Sequence, residues 1–103
     1  MKQRIIYISG PMTGLPQNNF PAFHAAAQDW RTAGYAVCNP AEVGEETGLS
    51  WTDYMRKDLK LLAECNTIFL LQGWEKSQGA HLELQIAHRL GFDVLLQAKP
   101  GEL

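Results

Sequence analysis

Residues 66–71 read Asn-Thr-Ile-Phe-Leu-Leu, residues 78–90 read Gln-Gly-Ala-His-Leu-Glu-Leu-Gln-Ile-Ala-His-Arg-Leu, and residues 92–96 read Phe-Asp-Val-Leu-Leu. The first is a short apolar run and predicts a buried strand. Gln72–Ser77 is a polar loop. The second stretch carries apolar residues at helical spacing and is stopped by Gly91, so a helix over 78–90 is predicted. The third predicts a last strand. Strand, helix and strand in this order imply a crossover between parallel strands.

The same alternation runs upstream. Residues 4–9, Arg-Ile-Ile-Tyr-Ile-Ser, are a β-branched and aromatic run ended by Gly10-Pro11, again a buried strand. Gly10 to Asn19 is a loop rich in Gly, Pro and Asn. Pro21 suits a first helical turn, with Asn19 or Phe20 near the N-cap, and Gly34 ends that helix after Ala33. Tyr35–Cys38 reads as a short strand closed by Asn39-Pro40, and a loop runs on to Leu49. Ser50 and Asp53 form a capping-box-like pair opening a helix from Trp51 to Glu64. The prediction is a small three-layer α/β/α sandwich of Rossmann- or flavodoxin-like type, with a parallel sheet of four to five strands. Residues 1–103 form one domain. Ligands of such sheets bind at the carboxyl ends of the strands, which gathers the loops after residues 9, 38, 71 and 96 around one site.

The chain has 103 residues, 46% of them hydrophobic and 19% charged, the balance of an ordinary globular domain. A net charge of −2 argues against a nucleic-acid polymer or an anionic membrane as partner. No apolar run approaches the length of a membrane span and no signal peptide is visible. Cys38 and Cys65 form no CxxC pair and read as reduced thiols of a cytoplasmic protein. His24, His81 and His88 lack metal-ligand spacing, so no metal is expected.

Two carboxylates stand in the wrong place. On a helical wheel of residues 78–90, Ala80, Leu82, Leu84, Ile86, Ala87 and Leu90 fill an apolar arc, and Glu83 falls near its centre. On the helix before it, Asp58 lies among Trp51, Tyr54, Met55, Leu61, Leu62 and Cys65. Burying a carboxylate without a partner costs several kcal/mol. A small domain has little stability to spare for doing so twice. Either group alone is equally well read as a structural carboxylate. As a pair at a crevice they match glycosyl-bond chemistry, in which one group attacks or shields the anomeric carbon and the other manages protons. Glu83 also lies within two turns of a helix N-terminus, which favours its ionised form.

Further candidates surround them. Ser77 is a good N-cap and Gly79 leaves nearby amides approachable, so the Ser77–Ala80 turn is a candidate phosphate cradle; a plain N-cap explains it equally well. The Gly10–Gly14 loop is a second cradle. Tyr7 reads as a core tyrosine or a site residue. Trp74 reads as a packing aromatic or a platform for a base.

Three segments together, Tyr7-Ile8-Ser9-Gly10-Pro11, Asp58-Leu59 and Ser77-Gln78-Gly79-Ala80-His81-Leu82-Glu83, resemble the nucleoside 2-deoxyribosyltransferase superfamily. The similarity is greatest to a short branch with the same Tyr-Ile-Ser-Gly-Pro-Met-Thr-Gly and Gly-Trp-Glu-x-Ser-x-Gly-Ala motifs, and it extends to the 2′-deoxynucleoside 5′-phosphate N-hydrolases. The resemblance implies cleavage or transfer at an N-glycosidic bond of a nucleoside or its 5′-monophosphate, without cofactor. It implies Glu83 as the nucleophile at C1′, Asp58 as the group that protonates or orients the base, and Tyr7 as a partner of the glutamate. Ser9, Gly10, Met12, Trp74, Ser77, Gly79 and Ala80 become candidate substrate binders. Asn66 stands where many relatives carry an aspartate. The resemblance also implies a homodimer or higher homo-oligomer. A module of the same fold that binds or sequesters a nucleotide without turnover is the alternative.

Overall fold

The computed structural model describes residues 3–43 and 48–98. Seven regular elements alternate along them. They are β1 (Ile5–Ser9), α1 (Phe20–Thr32), β2 (Ala36–Cys38), α2 (Trp51–Ala63), β3 (Thr67–Leu70), α3 (Gln78–Arg89) and β4 (Asp93–Leu96). All strand pairs are parallel, in the order β2-β1-β3-β4. The strand count is four among the described residues, the lower of the two numbers expected. The strands themselves are a residue or two shorter than their apolar runs. Tyr35, for instance, precedes β2: its amide donates to the Trp30 carbonyl, and its ring meets the Trp30 edge.

The period of two along β1 divides the core. Ile6 and Ile8 pack with Phe23, Ala26 and Ala27 of α1 on one face of the sheet. Tyr7, with Ile5 at its margin, packs on the other face with Leu62, Ile68, Leu70 and Ala87, under α2 and α3. The result is the three-layer arrangement, one helix on one side and two on the other. The order in which strands are added to the sheet reverses between β1 and β3, which is where open parallel sheets leave a crevice.

Helix ends follow their sequences. Ser50 accepts a hydrogen bond from the Asp53 amide at 3.1 Å, and Asp53 accepts one from the Ser50 amide at 3.2 Å, completing the capping box of α2. Ser77 caps α3 by accepting from the Ala80 amide at 3.1 Å. The N-cap of α1 is Asn19, in the left-handed conformation together with Gln17 and Asn18. Leu90 departs from the expected apolar arc: it lies just past α3 and is 60% exposed. Asn66, placed on the far side of the sheet from the crevice, ties the strand starts together. It accepts from the Ile5 amide at 2.9 Å and donates to the Gln3 carbonyl at 2.7 Å.

Two glycines lie at close approaches between elements. A Cβ on Gly10 would lie 2.8 Å from Cβ of Leu71, where the β1 and β3 ends converge. A Cβ on Gly79 would lie 3.3 Å from the Met55 sulfur, a tight contact that the flexible methionine would have to relieve by shifting a few tenths of an ångström. Gly10→Ala must therefore push the strand ends apart. It is expected to lower the unfolding free energy by about 1–3 kcal/mol, measured by urea denaturation; an unchanged midpoint would contradict the packing described.

Candidate active site

Burial falls at i, i+3 and i+7 on each of the two helices that share a face. On α3 the buried residues are Ala80, Glu83 and Ala87; on α2, Asp58 occupies the middle position between buried Met55 and Leu62. Each carboxylate thus sits where a helix should present an apolar side chain. Glu83 is 5% exposed and is the one buried charged side chain among the described residues. Its burial is compensated from β1. The Tyr7 hydroxyl donates to Oε2 at 2.5 Å, and the Ser9 hydroxyl donates to Oε1 at 2.7 Å. Tyr7 and Ser9 are alternate residues of one strand, so both hydroxyls face the same side.

Glu83 and Asp58 open on one cavity of about 430 Å³. Its walls come from the loop after β1 (Gly10 to Thr13), the residue after Asn39 at the end of β2, the first two turns of α2, and Lys76 to Ala80. These are carboxyl ends of strands and amino ends of helices, as the topology requires. The described residues after β4 do not line it, so three of the four expected loops contribute. Gly10, Met12, Ser77, Gly79 and Ala80 line the cavity as expected of substrate binders. Tyr7 and Ser9 do not; they stand behind Glu83. Trp74 is also elsewhere. Its ring packs against His81, 5.2 Å between centroids, and against the core cluster beneath α3. Among the described residues, none of the His, Cys, Asp and Glu groups clusters as a metal site would.

Lys76, Trp51, Tyr54 and Asn18 line the cavity without having been singled out in the sequence. Lys76 immediately precedes the N-cap Ser77, and that adjacency was the available signal. Trp51 reads as part of the α2 apolar arc, yet it is 45% exposed at the cavity wall. At the α3 start, the Ala80 amide is taken by the Ser77 hydroxyl and the His81 amide by the Ser77 carbonyl. The amides of Gln78 and Gly79 have no acceptor among the described residues and are available to an anion.

The electrostatics follow from burial. Desolvation pushes Glu83 up to about 8, against the pull of the Tyr7 hydroxyl and with a further push from Asp58; the Ser9 hydroxyl also pulls it down. Burial pushes Asp58 up to about 7. Burial, Glu83 and Asp58 hold the Tyr7 phenol well above its usual range, so it remains a donor. Burial and the neighbouring Cys38 thiol push Cys65 up, and both cysteines are free thiols. A carboxyl raised on folding binds more protons folded than unfolded between its two pKa values. Its stabilising contribution is complete below the unfolded value and disappears as pH rises through the folded one. Unfolding free energy is therefore expected to fall, by on the order of a few kcal/mol, between pH 4.5 and pH 8. Glu83→Gln should flatten much of that slope, as denaturant titrations at the two ends would record.

The geometry can be set beside known proteins. No curated protein matches the sequence. The 2-deoxyribosyltransferase of the psychrotolerant bacterium Bacillus psychrosaccharolyticus is similar in structure, with a TM-score of 0.69 and 23% identity over 89% of this chain and 70% of that one. The 2-deoxyribosyltransferase of Leishmania mexicana has a TM-score of 0.69 and 20% identity over 90% of this chain and 63% of that one. No helix among the described residues is long and apolar enough to cross a membrane. The family described as Domain of unknown function (DUF4406) matches residues 4–96. The chain belongs to that family, and its fold is the fold of the 2-deoxyribosyltransferases.

Proposed function

We propose that this protein cleaves or transfers at the N-glycosidic bond of a deoxynucleoside or its 5′-monophosphate, with Glu83 as nucleophile. The observation that carries the reading is the pair of carboxyls on one cavity, Asp58 half-buried and Glu83 buried and gripped at both oxygens by hydroxyls of β1. In the first step a Glu83 oxygen bonds to C1′ as the bond from C1′ to the base nitrogen breaks. The bonding electrons leave with the base, and the Asp58 carboxyl supplies its proton. In the second step the Asp58 carboxylate takes a proton from water or from a second base, whose oxygen or nitrogen attacks C1′ and releases Glu83.

The reaction needs one proton on the pair: Glu83 ionised, Asp58 protonated. The two hydroxyls aimed at Glu83 bind an anion more strongly than a neutral acid and so pull its midpoint down toward that of Asp58, although burial leaves Glu83, at about 8, above Asp58, at about 7. Around the carboxyls, Trp51 and Tyr54 offer flat apolar surface to a base. Lys76 and the amides of Gln78 and Gly79 offer positive charge to a 5′-phosphate. No step calls for a cofactor.

Incubation with 2′-deoxy-2′-fluoro nucleosides and nucleotides, followed by mass spectrometry, is expected to reveal a glycosyl adduct on Glu83. Glu83→Ala should lose base release by at least about 10³-fold, and Asp58→Asn by about 10²–10⁴-fold. Absence of an adduct together with full turnover by Glu83→Ala would sink the mechanism. Binding without base release across nucleosides, deoxynucleoside monophosphates and NAD would favour the non-catalytic nucleotide-binding reading.

A further inference from the structure

The Ser9 hydroxyl is not where a substrate-binding group should be. Ser9 is 1% exposed and does not line the cavity. Its single side-chain contact of note is the 2.7 Å bond to Oε1 of Glu83. Tyr7, fully buried, reaches Oε2 from two residues earlier on the same strand. A long arm and a short arm from one strand thus hold the two oxygens of one carboxylate. A single donor would leave the carboxylate free to turn about its last side-chain bond. Two donors from a central strand, hydrogen-bonded on both sides by β2 and β3, fix the plane of the group as well as its position.

We propose that Ser9 is a positioning residue. It acts through Glu83 rather than on substrate, locking the carboxylate plane toward the cavity and lowering the group's affinity for a proton. As a role in catalysis this rests on Glu83 being the nucleophile; as a property of the carboxylate it does not. The groups facing Glu83 are known from each packed element. Asp58 of α2 raises its affinity for a proton, and Tyr7 of β1 lowers it. Cys65, beside Tyr7, stays a neutral thiol. Lys76, ahead of α3, lines the same cavity. Against this background Ser9 supplies the second of two donors, and its loss leaves one oxygen of a buried carboxylate without a protein partner.

The experiment reads Glu83 directly. Protein labelled with ¹³C at the glutamate δ-carbon is titrated by NMR, with Glu83→Gln assigning the resonance. In Ser9→Ala the Glu83 midpoint is expected to rise by about one pH unit, a tenfold loss of the ionised fraction on the acid side of the midpoint. Tyr7→Phe should move it in the same direction. Ser9→Cys, which keeps the shape with a weaker donor, should fall between wild type and Ser9→Ala, and it serves as the titrated variant should the alanine protein fail to fold. A midpoint unchanged in the Ser9 variant overturns the proposal. Where base release is measurable, the acid limb of its pH profile should move with the NMR midpoint, with kcat lowered more than KM is raised. If wild type releases no base from any substrate in the panel, the glycosidase reading fails while the NMR titration still decides the role of Ser9.

Discussion

A carboxylate can be buried in a small domain only if its charge is answered within bond length, and Glu83 is answered twice. That constraint organises the molecule. It demands two hydroxyls on the same face of a central strand, so β1 must be flanked on both sides. It demands that α3 lie close enough to β1 for a short serine to reach, and the Ser9 hydroxyl meets Glu83 at 2.7 Å. Asp58, half-buried on the same cavity, adds a second carboxyl whose presence raises the proton affinity of Glu83.

The two faces of the sheet divide the labour. The α1 face carries aliphatic and aromatic packing, with Trp30 set edge-on to Phe69 at 5.3 Å. The α2/α3 face carries the polar chemistry over a smaller apolar cluster. The two layers meet at the cavity, where Met12, Phe20 and Phe23 of the α1 side line the wall facing the carboxyls.

Much of this was legible in the sequence. Alternating strand and helix patterns gave the parallel sandwich, and the wheel positions of Glu83 and Asp58 exposed both carboxylates as misfits. What escaped did so for identifiable reasons. Trp74 was a candidate platform because a loop tryptophan can point either way; the short helical turn over Trp74–Lys76 directs it to His81 and the core instead. Ser9 reads as a substrate binder through the resemblance carried by its Tyr-Ile-Ser-Gly-Pro segment. Its true partner was readable from the alternation with Tyr7, since residues two apart on a strand share a face. Lys76 and Trp51 were hidden for opposite reasons: one is an ordinary loop cation, the other an ordinary member of an apolar arc. Their place on the cavity follows only from how α2 and α3 come together, a tertiary fact.

The alternation along β1 has one more consequence. A slip of this strand by one residue would turn Ile6 and Ile8 toward α3 and carry Tyr7 and Ser9 into the aliphatic layer beneath α1. Two hydroxyls would lose their acceptor, and Glu83 would face hydrocarbon. Loss of register and loss of the carboxylate's two donors are thus the same event at this strand. The carboxylate acts as a proofreader of register, penalising the wrong pairing from the helix opposite, so a chain that folds in register folds with both carboxylate oxygens answered.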